Sequence, residues 1–205
     1  GTVTVGGDLA ATTDAGNGVI DMDQLAVDGS IALVTNGNGA ATVVNDAAIE
    51  FAASTVRGAL TATATTGDIT DSGTVTVGGN LSVTTSASDG LINMGTLEVD
   101  GTIALVTNGN GAATVVNDAA IEFAASTVGG ALSATATTGN ITQSGALDIE
   151  GTTTLVTTAQ GATITLGTAT NAFTGAVTIT TNDNDSPTDG TYAADVTIDG
   201  GTTNL

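Results

Sequence analysis

The residues of this sequence that could perform chemistry are almost all carboxylates. There are 21 aspartate and glutamate residues against one basic residue, Arg57, and histidine and cysteine are absent. Without these side chains a serine–histidine–aspartate triad cannot form, and imidazole or thiolate metal sites are excluded. The remaining catalytic possibility is a pair of carboxylates that cleaves a glycosidic bond.

An internal repeat tests this possibility. The aspartates of the first copy give way to other residues at the equivalent positions of the second, while apolar positions persist: Asp8, Asp14, Asp21, Asp23, Asp68 and Asp71 become Asn80, Ser86, Asn93, Gly95, Asn140 and Gln143. The one cation, Arg57, becomes Gly129. Acidity that is exchangeable between copies indicates a solvated surface, so the sequence predicts no enzyme and no catalytic residue.

Calcium is the more serious chemical possibility. Residues 182–185 read Asn-Asp-Asn-Asp, Asp189 follows, and the only proline, Pro187, lies between them. Such oxygen ligands suit Ca²⁺, and we take Asp183, Asp185 and Asp189 as the candidate metal ligands. The alternative is an irregular acidic loop between strands, and neither an EF-hand nor a calcium-binding nonapeptide pattern is present. No other cofactor is predicted.

The charge also limits the partners. A net charge of −20 disfavours nucleic acid and anionic membranes, because both attract basic residues. The sequence contains no apolar run of the length that a membrane-spanning helix needs, so we expect no membrane insertion. The predicted partners are copies of the chain itself or neighbouring modules of one giant chain.

The elements that carry these residues are short strands. The composition is rich in glycine, threonine, valine and alanine, with 2% aromatic residues. Residues 31–56 recur unchanged at 103–128, an offset of 72 (103 − 31), and about three-quarters of the paired positions are identical between the copies. The sequence predicts one continuous solenoid with repeats at 1–72 and 73–144, and a diverged third repeat at 145–205 whose irregular acidic loop lies near 182–190.

The strand pattern divides each repeat into coils. Apolar-x-apolar triplets begin at Val3, Leu25, Ile49 and Val75, so their successive spacings are 22, 24 and 26 (25 − 3, 49 − 25, 75 − 49). We therefore predict an all-β, right-handed parallel β-solenoid with three short strands per coil, roughly 22–26 residues per coil and roughly eight or nine coils. An antiparallel sandwich is the competing fold.

Alternation predicts which side chains face the core. Inward positions are Val3, Val5, Leu9, Leu25, Val27 and Ile31, and outward positions are Thr4, Ala26 and Glu50. The three phenylalanines are also expected in the core. A flat threonine face that orders ice would need Thr-x-Thr on every coil, and only the Thr61/Thr63 pair qualifies among three coils.

The coil pattern resembles the filamentous-haemagglutinin family of bacterial surface adhesins and related giant β-strand-repeat proteins. Residues 126–155, their copy from Ser54, and residues 172–180 carry this resemblance. The family implies secretion, usually through an outer-membrane partner pore, and a role as a long stalk, adhesin or matrix fibre.

We therefore expect an extracellular or cell-surface structural segment of a bacterial fibre or adhesin stalk, able to assemble end to end. The alternative is an adhesive module that recognises a glycan or protein. Polysaccharide cleavage and ice binding are less favoured alternatives.

Overall fold

The computed structural model describes residues 1–14, 16–168, 170–182 and 194–201. These ranges form 24 β-strands joined by turns. The described residues include no helix that is long and apolar enough to cross a membrane.

The strands belong to two sheets. Sheet 1 contains β1 (Val3–Val5), β3 (Ile20–Val27), β5 (Ala41–Asn45), β8 (Leu60–Ala64), β11 (Leu81–Ser88), β13 (Thr102–Asn108), β15 (Ile121–Phe123), β16 (Ser126–Val128), β18 (Ile141–Gln143), β19 (Leu147–Ile149), β21 (Ile164–Leu166), β22 (Ala172–Phe173) and β24 (Val196–Ile198). Sheet 2 contains β2 (Leu9–Thr12), β4 (Ser30–Val34), β6 (Ile49–Phe51), β7 (Ser54–Val56), β9 (Ile69–Asp71), β10 (Val75–Val77), β12 (Ile92–Val99), β14 (Ala113–Asn117), β17 (Leu132–Ala136), β20 (Thr153–Gln160) and β23 (Val177–Asn182).

The chain winds as a parallel solenoid. Successive half-turns alternate between the two sheets, and each strand pairs in parallel with the strand one turn away. The offset between paired residues ranges from 19 (Leu60 − Ala41) to 24 (Val177 − Thr153) through most of the stack. The result is a β-solenoid of about 8 turns, which confirms the predicted all-β parallel fold and rules out the antiparallel sandwich.

One apolar core runs through the stack. Buried side chains form a single cluster from Ile20 to Phe173, and Phe51, Phe123 and Phe173 lie in it as predicted. Leu25, Val27 and Ile31 are also buried. Val5 and Leu9 are half-buried against the core, and Thr4 and Glu50 are exposed. Val3 differs from its prediction and is 53% exposed, because it lies in the outermost strand of the stack.

The phase of the repeat differs from the predicted three whole coils. Leu25 lies in sheet 1, whereas its equivalent Leu97 lies in sheet 2. Between them the chain makes seven half-turns: β3, β4, β5, β6 with β7, β8, β9 with β10, and β11. The repeat is thus three and a half turns of about 21 residues (72 ÷ 3.5), and equivalent residues of the two copies lie in opposite sheets.

A buried asparagine explains the difference. Sequence spacing aligned Ile49 with Leu25, but the residue stacked on Leu25 is Asn45, and Phe51 pairs instead with Ile31. The pattern also gave no strand at β7, whose Ser54 is buried. Some half-turns therefore consist of two short strands, such as β6 with β7, and others consist of a single strand. Turns of three strands, as predicted, occur beside turns of two.

Candidate functional site

The predicted calcium ligands cannot be placed. Asp183, Asp185 and Asp189 lie outside the described residues, so the calcium site stays a prediction. Among the residues that are described, no group of three or more acidic side chains is arranged to hold a metal ion.

The carboxylates at the coil corners act as hydrogen-bond acceptors. Asp68 Oδ1 accepts the Leu91 N–H at 2.8 Å, and its equivalent Asn140 Oδ1 accepts the Thr163 N–H at 2.8 Å. Each side chain thus caps a backbone amide in the next turn. An amide oxygen also accepts such a hydrogen bond, so asparagine can replace aspartate here without loss of the cap.

Two other corners repeat this arrangement. Asp8 Oδ1 accepts the Ser30 N–H at 2.9 Å and the Ser30 hydroxyl at 3.0 Å, which lowers the pKa of Asp8 below its ordinary value. Its equivalent, Asn80, accepts the Thr102 N–H at 3.0 Å. Asn17 and Asp89 share a positive φ, 61° and 63°, and each caps an amide of the following turn. The geometry thus gives these acidic residues a structural role.

Buried amides form the second polar feature. Asn117 is fully buried, and its Oδ1 accepts the Val99 N–H at 2.8 Å. Its Nδ2 donates to the carbonyls of Val99 at 3.1 Å and Ala120 at 2.7 Å. Asn45 makes the same three bonds in the other sheet. These asparagines join adjacent turns where the backbone ladder is irregular.

The outward faces carry uncharged hydroxyl and valine rows. In sheet 1, four successive turns place these pairs in register: Thr42/Val44, Thr61/Thr63, Ser82/Thr84 and Ala104/Val106. In sheet 2, the corresponding rows are Thr114/Val116, Ser133/Thr135, Thr154/Val156 and Thr178/Thr180. The three pairs compared from sequence do not all share a face, because Ala10/Thr12 and Ala32/Val34 lie in sheet 2 and Thr61/Thr63 in sheet 1. Complete Thr-x-Thr pairs remain a minority of each row.

Two matching grooves lie where the long strands bulge. The ladder register shifts between Met22 and Leu25 in β3, and between Met94 and Leu97 in β12. Beside each bulge is a groove of about 270 Å³. Groove 1 is lined by Thr2, Leu25, Val44, Asp46 and Thr65, together with Asp23 and Gln24. Groove 2 is lined by the equivalents Thr74, Leu97, Val116, Asp118 and Thr137, together with Gly95, Thr96 and Glu98.

Groove 2 is lined by two carboxylates, those of Glu98 and Asp118. Asp118 is exposed, and its pKa is raised first by partial desolvation and then by the negative charges of Glu98 and Asp100. No described basic side chain lines either groove. A carboxylate held among like charges favours a cation beside it. These grooves were not predicted from the sequence. Their bulges become comparable only once β3 and β12 are placed in opposite sheets.

A larger groove of about 580 Å³ contains Asp8, Asp28, Glu50 and Asp68. Its acidity is halved in the second copy, where Asp8 and Asp68 become Asn80 and Asn140 while Asp28 and Glu50 are kept as Asp100 and Glu122. The hydrogen bonds that Asp8 and Asp68 accept from the Ser30 and Leu91 N–H groups account for these two carboxylates without a ligand.

Comparison with known proteins gives a family but no function. No curated protein and no solved structure matches the chain. The model of the family described as "Repeats of unknown function (DUF5649)" matches residues 38–94 and 110–180. The starting positions of the two matches differ by 72 (110 − 38), which is also the offset of the sequence repeat. Because together they cover more than half of the chain, the protein belongs to the DUF5649 family of repeats.

Proposed function

We propose that this chain is a structural segment of a long bacterial fibre or adhesin stalk, secreted or held at the cell surface. The observation that carries the proposal is the single core that passes without interruption through both copies of the repeat. Each turn of a solenoid is stabilised by its neighbours, so added copies lengthen the rod without a new kind of contact.

The sheet edges support a role in linear assembly. In the described part of the chain β1 pairs on one side only, with β3, and β24 only with β21. Such edges offer backbone groups to another turn, whether from the same polypeptide or from a second copy. The net charge of −20 opposes sideways association of rods, which favours end-to-end contact.

Electron microscopy and light scattering of the purified chain test this proposal. With about 8 turns, a single rod is expected to be on the order of 40 Å long at about 4.8 Å per turn. Filaments of uniform width would support assembly through the ends, and separate rods would support extension by covalent repetition. Compact particles of other shapes, or an expanded chain, would contradict the stalk proposal.

Electron microscopy repeated with calcium and with a chelator tests the candidate calcium ligands. Filaments that form only with calcium, and are lost in a variant with Asp183, Asp185 and Asp189 changed to Asn, would assign a structural metal site to these residues. A matched variant with Asp14, Asp21 and Asp148 changed to Asn removes three exposed charges elsewhere and controls for general charge effects.

The hydroxyl rows favour one alternative function, an adhesive module. They present an uncharged surface on opposite faces of an otherwise acidic rod, and threonine and serine hydroxyls can bond to sugars. A glycan array separates the two proposals: saturable binding that Thr61→Val and Thr135→Val weaken would support the adhesive module, and an empty array would count against glycan recognition.

A further inference from the structure

We propose that grooves 1 and 2 each bind one lysine or arginine side chain from a basic segment of a partner protein. The linings of the two grooves are largely equivalent and combine apolar with acidic side chains. Groove 2 is lined by Leu97, Val116 and Thr137 together with Glu98 and Asp118.

The chemistry of the grooves fits a long basic side chain. Lysine and arginine place an apolar stem against an apolar surface and keep the charged head near polar groups. Groove 2 offers the half-buried Val116 to the stem and the carboxylates of Glu98 and Asp118 to the head. The volume of about 270 Å³ is sufficient for one such side chain. The raised pKa of Asp118 supports this arrangement, because a bound cation relieves the like-charge repulsion from Glu98 and Asp100.

Each groove is lined by two acids, although one of the two positions changes between the copies. Groove 1 has Asp23 and Asp46, and groove 2 has Glu98 and Asp118. Asp46 and Asp118 are equivalent, whereas Asp23 is replaced by Gly95 and Glu98 takes the place of Ala26. The larger groove falls from four acids to two in the second copy, because Asp28 and Glu50 are kept as Asp100 and Glu122 while Asp8 and Asp68 become asparagines. The unchanged number of lining acids, beside the equivalent Val44 and Val116, distinguishes the matched pair from the larger groove.

The half-turn phase makes the chain bivalent. Groove 1 lies on sheet 1 and groove 2 on sheet 2, three and a half turns away. At about 4.8 Å per turn their separation along the rod is on the order of 17 Å. A basic segment on one face therefore leaves the other face free, and a longer array would hold basic partners alternately on both sides.

Isothermal titration with a short peptide carrying two lysines in a glycine–serine background tests the proposal. We expect two sites per chain, binding that weakens with added salt, and no binding of the same peptide with both lysines acetylated. Glu98→Gln with Asp118→Asn is expected to remove one site and leave the other. The matched control, Asp148→Asn with Glu150→Gln, changes the same charge on exposed residues away from both grooves and is expected to leave both sites.

A second pair of variants tests groove 2 by adding a charge instead of removing carboxylates. Val116→Lys places an ammonium group in groove 2 and should reduce the stoichiometry from two to one. Val156→Lys adds the same charge on the same face, in a row two turns away, and should not. Equal weakening by each variant and its control would reveal general electrostatic attraction and overturn the proposal. Absence of saturable binding, or displacement of the peptide by stoichiometric calcium, would also overturn it.

Discussion

The buried asparagines add side-chain bonds between adjacent turns beside the shift in ladder register. Replacing Asn117 with alanine leaves the Val99 N–H and the Val99 and Ala120 carbonyls without their partner. Each unsatisfied buried group costs about 1–3 kcal/mol, so with three such groups we expect Asn117→Ala to reduce the free energy of unfolding by about 3 kcal/mol or more.

Chemical denaturation measures this loss. Asn45→Ala should cost a similar amount, because Asn45 makes the same bonds in the opposite sheet. Asn93→Ala, at an exposed outward position, is the control and should stay within about 0.5 kcal/mol of the parent. Equal stabilities for all three variants would contradict this role of the buried amides.

Asp8 predicts one component of the acid sensitivity. Its pKa is lowered in the folded chain by bonds from the Ser30 N–H and hydroxyl, so its carboxylate stabilises the fold above its unfolded pKa. That contribution disappears as the pH falls through the lowered folded pKa. Asp8→Asn keeps an acceptor oxygen but cannot ionise, so the stability difference between parent and variant should shrink in acid.

Thermal unfolding at several pH values measures this difference. Asp118→Asn should change stability with the opposite sign. The pKa of Asp118 is raised, so its ionisation destabilises the folded chain, and the variant should gain stability over the parent at neutral pH and lose that gain in acid. A difference between the parent and Asp8→Asn that stays constant from neutral pH into strong acid would contradict the assignment.

At the scale of elements, most strands could be predicted from the sequence, but the way they stack could not. Apolar alternation located strands such as β1, β4 and β8, because inward valine, leucine and isoleucine leave a clear two-residue period. It missed β7, whose inward positions include the buried Ser54, and it did not place Asn45 above Leu25. A buried polar residue is specified by bonds to another turn, and those bonds have no signature in the local pattern.

The same limit applied to the grooves. Bulges at Asp23 and Gln24 or at Gly95 and Thr96 follow from the register of neighbouring turns, which spacing within one strand does not determine. The corner aspartates could be predicted to be replaceable from the two copies, but the bonds that explain this became visible only with the stacked turns.

Glycines at the corners set how closely turns approach. A Cβ on Gly101 would lie 2.5 Å from the Gly79 carbonyl oxygen, whereas a Cβ on Gly95 would meet open space. We expect Gly101→Ala to destabilise the chain by about 1–3 kcal/mol through this collision, and Gly95→Ala to be neutral or slightly stabilising.

Denaturation of both variants makes a matched comparison, since the two glycines lie close together in the sequence and neither has a positive φ. A similar midpoint for both would indicate that the corner relaxes at little cost. Close packing between turns would then not be the reason for a glycine at position 101.

At the scale of the molecule, the repeat of three and a half turns defines which length changes the rod tolerates. Excising one full repeat length between the identical blocks, for example positions 32–103, joins Ile31 to Ala104 and restores the local sequence. Every residue after the joint then stacks on a turn equivalent to its former neighbour, although its face is reversed. We expect a shorter solenoid that unfolds cooperatively, because stability is set by contacts between adjacent turns.

Excising half of a repeat length is the control. It removes about one and three-quarter turns, so inward residues after the joint meet corners of the preceding turn and the stack should lose its cooperative transition. Circular dichroism during denaturation distinguishes the two chains. If both deletions unfold alike, the phase of three and a half turns does not control stacking, and the alternation of grooves between faces would lose its basis.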